Sequence, residues 1–350
     1  MRLEWLDFFR GAAVLVMMET HVVNTFLAAG LREGGGFALL NYLNGLVAPS
    51  FLFIAGFVQG MERRKAPAKP IPYARRAWRL LGIGALGYAL HFPVIQLARG
   101  EWLDALRIGS QVDVLQCLAL GLGVLLGARW LGERMRWRSA SSWLAGVLAL
   151  ATAAVLAATP VHSWTGGPVV LRAWVNVTTG SLFPIFPWVG FVFLGALAGA
   201  WHGISLPRRA AGMIGLGVMA WTCRGAAFSS VSPSFFLERA VWVLALAAVC
   251  EWGARWQLPA AAVLYAGKHS LKFYVAHLVI ISAIAGAGML APGQAWPSIA
   301  MMVLAIGGAS FGAVWFLGRA PQMLALARRV RAEPVVVEAV EIEDLPSPAA

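Results

Sequence analysis

The sequence is short of charge: Asp, Glu, Lys and Arg make up 13% of its 350 residues, about half the share of a soluble domain. Hydrophobic residues reach 59% before the 38 glycines are counted, and the mean hydropathy is +0.71. A soluble globule cannot hide that much apolar side chain, because its surface is too large for its volume. The same numbers exclude a disordered chain. Cysteine is scarce: Cys117, Cys223 and Cys250 each lie in an apolar run, which excludes a disulfide scaffold. The six histidines are scattered, without metal-ligand spacing. There is no P-loop, HExxH, CxxC or GxSxG. No small-residue cleavage site follows the first apolar run, which also holds Arg10, Glu19 and His21. It therefore reads as a retained helix rather than a signal peptide.

What is present is a series of long apolar stretches. Crossing a hydrocarbon core about 30 Å thick takes about 20 apolar residues. About ten such stretches occur, at 8–29, 41–61, 77–97, 112–132, 141–159, 182–201, 210–228, 236–255, 270–290 and 298–318. Residues 256–268 read as a short re-entrant piece. The expected fold is all-α, a polytopic bundle of about ten transmembrane helices over residues 1–320. Residues 321–350 form a short, acidic, Pro-capped tail, expected to be disordered. Gly56 and Gly60, and again Gly195 and Gly199, are spaced to let helices approach closely.

The net charge of +12 reflects orientation rather than nucleic acid, because the basic residues cluster between the apolar runs. Arg63, Arg64, Lys65, Lys69, Arg75, Arg76 and Arg79 fall between spans two and three, and Arg129, Arg134, Arg136 and Arg138 follow span four. Arg208, Arg209, Arg255, Lys268, Arg319, Arg328, Arg329 and Arg331 lie on the same side, with Arg32, Arg99, Arg107 and Arg172 opposite. That bias predicts both termini in the cytoplasm and an even number of spans. Asn176-Val-Thr178 matches a glycosylation acceptor on the outer side.

An ionisable group inside a span costs roughly 2.5–3.5 kcal/mol on insertion scales, so each one is a functional candidate. Span one is the richest. Arg10 and His21 are eleven residues apart, which is three turns plus about 20°, so they share a face with an axial separation of about 16 Å. Asn24 nearly shares the stripe, and Glu19 points elsewhere, towards another helix. Arg10 fits an anchor at the membrane edge. His21 fits either an interhelical hydrogen bond or a general base near neutral pH. On the outer side, His91 closes span three, and Asp113 and Gln116 open span four on one face. Asp113 fits a helix-start carboxylate as well as a functional one. Pro184 and Pro187 flank the start of span six, Arg224 ends span seven, and Trp188 reads as part of the interfacial aromatic belt. Span nine brings Lys272, Tyr274 and His277 in from the cytoplasm. Arg75, Arg76, Arg79, Lys268 and His269 make a basic rim that suits lipid phosphates or a soluble polyanion.

In order along the chain stand LDFFRGAAVLVMMETH, APSFLFIAGF, RAWRLLGIGALGYALHFP, VDVLQCLALGLG, FPIFPWVGFVFLGALAG and GKHSLKFYVAHL. Over about residues 3–318 these blocks resemble bacterial membrane proteins similar to heparan-alpha-glucosaminide N-acetyltransferase. The first block also resembles the Arg, ten residues, His pattern of membrane O-acyltransferases of envelope glycans. The resemblance implies acetyl-CoA or another acyl-CoA bound from the cytoplasm, and a sugar or glycan acceptor from the far side. By position, Arg10 and His21 match the arginine–histidine pair. The lysosomal members carry an active histidine in the loop after span one; residues 30–44 hold none here, and Asn44 and Gly45 stand where an acidic residue is expected. The base role therefore falls to His21.

Geometry and resemblance together give a set of expectations. His21 is the base, with Asp113 or Asn24 orienting it. Arg10, Arg75, Arg76 and Lys268 hold the donor phosphates. Gln116, His91 and Trp188 face the acceptor. The expected setting is a bacterial inner membrane, with membrane lipid as partner, no nucleic acid, no metal, and a homodimer left open. The rivals are a proton-coupled transporter of a small solute and a non-catalytic partner in envelope assembly.

Overall fold

A computed structural model of the chain describes residues 3–64, 72–135, 140–203, 206–222, 229–254, 260–290 and 292–332. The tail expected to be disordered from residue 321 instead begins as helix, which continues to Ala332; residues 333–350, with Arg224, Arg255 and the segment from Lys65 to Lys69, lie outside the described residues.

Each of the ten expected spans falls on a helix. They are, in order, α1 (Glu4–Phe26), α3 (Val47–Arg64), α4 (Tyr73–Leu90), α7 (Val114–Arg134), α8 (Ala140–Leu156), α11 (Ile185–Ala200), α12 (Leu206–Thr222), α13 (Pro233–Gly253), α15 (Ser270–Gly286) and α16 (Trp296–Ala332). Between them lie α2 (Gly35–Asn44), α5 (Val94–Ala98), α6 (Trp102–Gly109), α9 (Ala158–His162), α10 (Val169–Val175) and α14 (Ala261–Lys268). No strand occurs among the described residues, apart from one isolated bridge between Leu27 and Gln294.

Length and apolarity alone qualify four of these segments to cross a membrane: Gly35–Glu62, Val114–Arg134, Pro233–Gly253 and Trp296–Arg319. A fifth results if α14 and α15 count as one span bent by 90°. The sequence placed a re-entrant piece at 256–268, and the part of it that is described is α14. α1 is long enough at 23 residues but carries Glu4, Asp7, Arg10 and Glu19. It packs against α3, α13, α14, α15 and α16; Asp7 is buried among them and Arg10 and Glu19 are partly covered, while Glu4 at the helix start is exposed.

Two close helix contacts set the core. The glycine pairs read separately in the sequence face each other: Gly56 and Gly60 of α3 lie against the backbone of α11 at Val192 and Ala196, and Gly195 and Gly199 lie against Phe53 and Phe57 of α3. Any Cβ at these four positions would overlap a neighbouring backbone, so α3 and α11 touch main chain to main chain. Gly11 of α1 and Gly267 of α14 do the same, against Val263 and Asp7. The second contact seats α14 against the polar helix α1.

Candidate active site

α1 is unbroken from Glu4 to Phe26, so Arg10 and His21 keep their separation of about 16 Å. The two ends of this stripe meet different surroundings. Arg10 is half-buried, with a guanidinium nitrogen 3.7 Å from the buried carboxylate of Asp7 one turn earlier. His21, also half-buried, faces His277 of α15, with ring centres 5.2 Å apart. His21 also lies within electrostatic reach of Asp113 and His91.

His277 is fully buried. Its Nδ1 lies 2.7 Å from the carbonyl of Phe273 one turn back. A carbonyl only accepts, so Nδ1 carries the proton and Nε2 of the neutral ring is the free base. Nε2 has no protein partner. One turn earlier on the same face, Tyr274 packs edge-on against the His277 ring, with centres 5.9 Å apart. The Tyr274 hydroxyl donates to the carboxylate of Asp113.

Asp113 is the N-cap of α7 and forms a capping box with Gln116. Its backbone N–H donates to Gln116 Oε1 at 3.1 Å. The box satisfies orphan donors at the helix start and fixes the Gln116 rotamer. Gln116 is 1% exposed, and its Nε2 has no partner. Gly87 of α4 packs on the Gln116 amide, and the Gly87 carbonyl lies 3.1 Å from His91 Nδ1. Asp113 is therefore a helix-start residue that also takes part in a buried polar centre. One continuous set of groups, His91, Gln116, Asp113, Tyr274, His277 and His21, joins α4, α7, α15 and α1.

Other expected residues stand apart from this set. Asn24 is exposed, and its carbonyl accepts from Arg32 at 3.0 Å; its side chain makes no bond to His21. Trp188, read as a belt residue and as an acceptor contact, is 5% exposed. Its ring packs 4.7 Å from Phe183 and 5.2 Å from Phe235. The N-cap Pro184 and the non-helical Phe186 start α11 inside the bundle, which draws the indole inward. Arg75 and Lys268 are exposed. Arg76 donates to Glu62 at 2.6 Å, so its charge is largely spent on a carboxylate.

The structure also supplies partners the sequence left unspecified. Glu62 lies 3.9 Å from Arg129, and Arg129 donates to Glu133 at 3.4 Å. Arg129, counted with the basic loop in the sequence, is 7% exposed. Glu19 points away from the His21 stripe and takes a hydrogen bond from the Asn44 amide of α2. Asn176 is fully buried, with Nδ2 donating to the Trp164 carbonyl at 2.8 Å and Oδ1 accepting from Thr178 N at 3.1 Å. That corrects the glycosylation reading: the nitrogen a sugar would need is already bonded inside the fold. Sequence reasoning named Tyr274 and His277 without placing them at the centre. The signal was their three-residue spacing, which puts a phenol and an imidazole on one helix face.

Among the described residues no cluster of His, Cys, Asp and Glu could hold a metal ion. The chemistry available is proton transfer at imidazole and carboxylate, with an amide and a phenol to orient partners. The family model for the catalytic part of heparan-alpha-glucosaminide N-acetyltransferase matches residues 2–222. Comparison with curated proteins and with solved structures gave no match. The matched segment supplies His21, His91, Asp113 and Gln116, and Tyr274 and His277 come from beyond it. The match covers more than half of an all-helical chain with membrane-spanning helices, and the protein belongs to the heparan-alpha-glucosaminide N-acetyltransferase family.

Proposed function

We propose that this protein is an integral-membrane acyltransferase. It moves an acetyl or other acyl group from cytoplasmic acyl-CoA to a hydroxyl or amine of an extracytoplasmic sugar or glycan. The observation that carries this reading is the meeting of His21, His277 and Asp113 inside a helix bundle of an N-acetyltransferase family. The charge bias supports cytoplasmic termini, and the resemblance to bacterial members of the family supports a bacterial inner membrane as the setting.

The donor phosphates meet Arg10 and the exposed Arg75 and Lys268 through charge-assisted hydrogen bonds. Arg76 contributes only by exchanging its Glu62 partner. The pantetheine arm runs inward alongside α1 over about 16 Å, which brings the thioester to His21. His21 removes the proton from the acceptor hydroxyl or amine as that atom bonds to the thioester carbonyl carbon. The carbon–sulfur bond then breaks, and the leaving CoA thiolate takes the proton back from His21. A route through an acyl-histidine, in two such steps, uses the same residues. His277, with Nε2 free and turned away from its own helix backbone, positions the His21 ring. Asp113, held by Tyr274, adds the negative charge that favours the protonated imidazole during transfer.

Acetyl-CoA titrated into the detergent-solubilised protein by calorimetry tests the donor side. Binding is expected, weakened about tenfold by Arg10→Ala. An absence of binding for acetyl-CoA and for longer acyl-CoAs would overturn the reading and favour the transporter.

A further inference from the structure

A groove of about 930 Å³ runs between α4 and α7. It extends from Tyr73 and Trp130 at the end that carries Arg76 and Arg129 to Tyr88 and Gln116 at the other. Trp130 stands fourteen positions after Gln116 on α7, so the groove is about 20 Å long. Its floor is small, with Ala77, Gly84, Ala119, Gly123 and Gly127, and a Cβ at Gly123 would meet nothing. Leu81 and Trp130 on its walls are 62% and 48% exposed, so it opens sideways where the surrounding medium is hydrocarbon. The one amide on its lining is Gln116, whose Nε2 donor is buried without a partner.

We infer that this groove holds the hydrocarbon chain of the acceptor, which is therefore a lipid-linked sugar or alcohol whose polar end reaches Gln116. The inference rests on the acyl-transfer reading for the position of the reacting end. Three features support it. Apart from Gln116, Tyr73 and Tyr88 its lining is Ala, Gly, Leu, Val and Trp, which suits an alkyl chain. Its length exceeds the roughly 15 Å depth of one leaflet, enough for a long alkyl or prenyl chain. Its polar end suits the acceptor: the donor, in the acyl-transfer reading, runs in from the Arg76 side alongside α1, which leaves the α4–α7 groove to the acceptor. A lipid lying the other way, with its hydroxyl or sugar at Gln116 and its tail towards Tyr73, brings the reacting group to the imidazoles. The free Nε2–H of Gln116 then donates to an oxygen of that head, which satisfies a donor otherwise stranded in the interior.

The test is photolabelling of the full-length protein in nanodiscs of phosphatidylethanolamine and phosphatidylglycerol, with no donor present. The probe is hexadecyl glucoside carrying a diazirine in mid-chain, and labelled peptides are mapped by mass spectrometry. Label is expected on residues 73–90 and 114–134, falling about tenfold in Gly123→Leu. It should persist in Gly215→Leu on α12, where the added side chain also meets nothing. If Gly123→Leu does not fold, Ala85→Leu on the facing wall serves in its place. Gln116→Leu should weaken labelling by the glucoside and leave labelling by a headless diazirine hexadecane intact. Label spread evenly over the lipid-facing helices, or unmoved by both groove fillings, would mean ordinary annular lipid and overturn the proposal. So would groove labelling by diazirine palmitoyl-CoA but not by the glucoside, or cross-links between two copies at the groove. Labelling needs no donor, so it is read apart from a second assay with acetyl-CoA added: groove labelling with no CoA release in that assay would reject the enzyme reading alone, and CoA release without groove labelling would reject the lipid acceptor alone.

Discussion

Tyr274 on α15 donates its hydroxyl to the carboxylate of Asp113, 161 positions earlier at the start of α7. Asp113 is buried, and a buried carboxylate needs donors to offset the loss of water. It has the phenol on one side and the capping box of its own helix on the other. Tyr274 thereby ties the helix that carries His277 to the helix that carries Gln116.

Tyr274→Phe removes that donor without opening a cavity. Leaving a buried acceptor unsatisfied costs about 1–3 kcal/mol. The expected result is a lower midpoint in thermal or denaturant unfolding of the purified protein. Asp113→Asn should lose less when Tyr274 is already Phe, and the double-mutant cycle should give a coupling energy of about 0.5–3 kcal/mol.

Gly56→Leu and Gly195→Leu each drive a side chain into the backbone of the opposite helix, at Val192 and at Phe53. No rotamer relieves a clash with main chain, so each variant should lose several kcal/mol, seen as loss of the monodisperse peak in size-exclusion chromatography. Gly123→Leu, beside the open groove, should elute as the parent does.

The basic residues at the charged end should differ sharply from one another. Arg129, buried between Glu62 and Glu133, should cost about 1–3 kcal/mol on replacement by Ala, because Glu133 loses its cation and Glu62 keeps only Arg76. Arg75, exposed, should cost less than about 0.5 kcal/mol. Unfolding midpoints of the two variants, compared side by side, check the ranking.

Asn176 offers a test of the fold on the other side. Its amide nitrogen is bonded to the Trp164 carbonyl in a fully buried position. Expression in a glycosylating host should leave the site unmodified, with no shift in gel mobility after glycosidase treatment. Asn176→Ala should destabilise the protein, because Trp164 and Thr178 both lose a partner.

Local patterns were legible in the sequence. Ten apolar stretches landed on ten helices because each is a continuous apolar run, though only four or five are long and apolar enough to cross a membrane by themselves. The Arg10–His21 stripe followed from helical periodicity alone, and α1 proved unbroken. The glycine pairs declared themselves as contacts, though nothing local said that Gly56 and Gly195 meet across one interface. Pairings between distant segments were not legible. Arg76 and Arg129 look like loop charges in one dimension, and only folding brings Glu62 between them. His277 looked like a residue near an entrance because its place was judged along its own span, whereas the 90° bend before α15 carries it to His21. The short helices α5, α6, α9 and α10 were missed because runs of five to eight residues give too few turns for periodicity to show.

The central claim is that the His21 imidazole transfers the proton in acyl transfer, and one measurement tests it most directly. Release of free thiol from acetyl-CoA is followed with the reconstituted protein and a hydroxyl or amine acceptor, for the parent and for His21→Ala. The account predicts release by the parent. It predicts a fall of at least about a hundredfold in His21→Ala, with acetyl-CoA binding and the unfolding midpoint retained. Equal thiol release by the two proteins would contradict it.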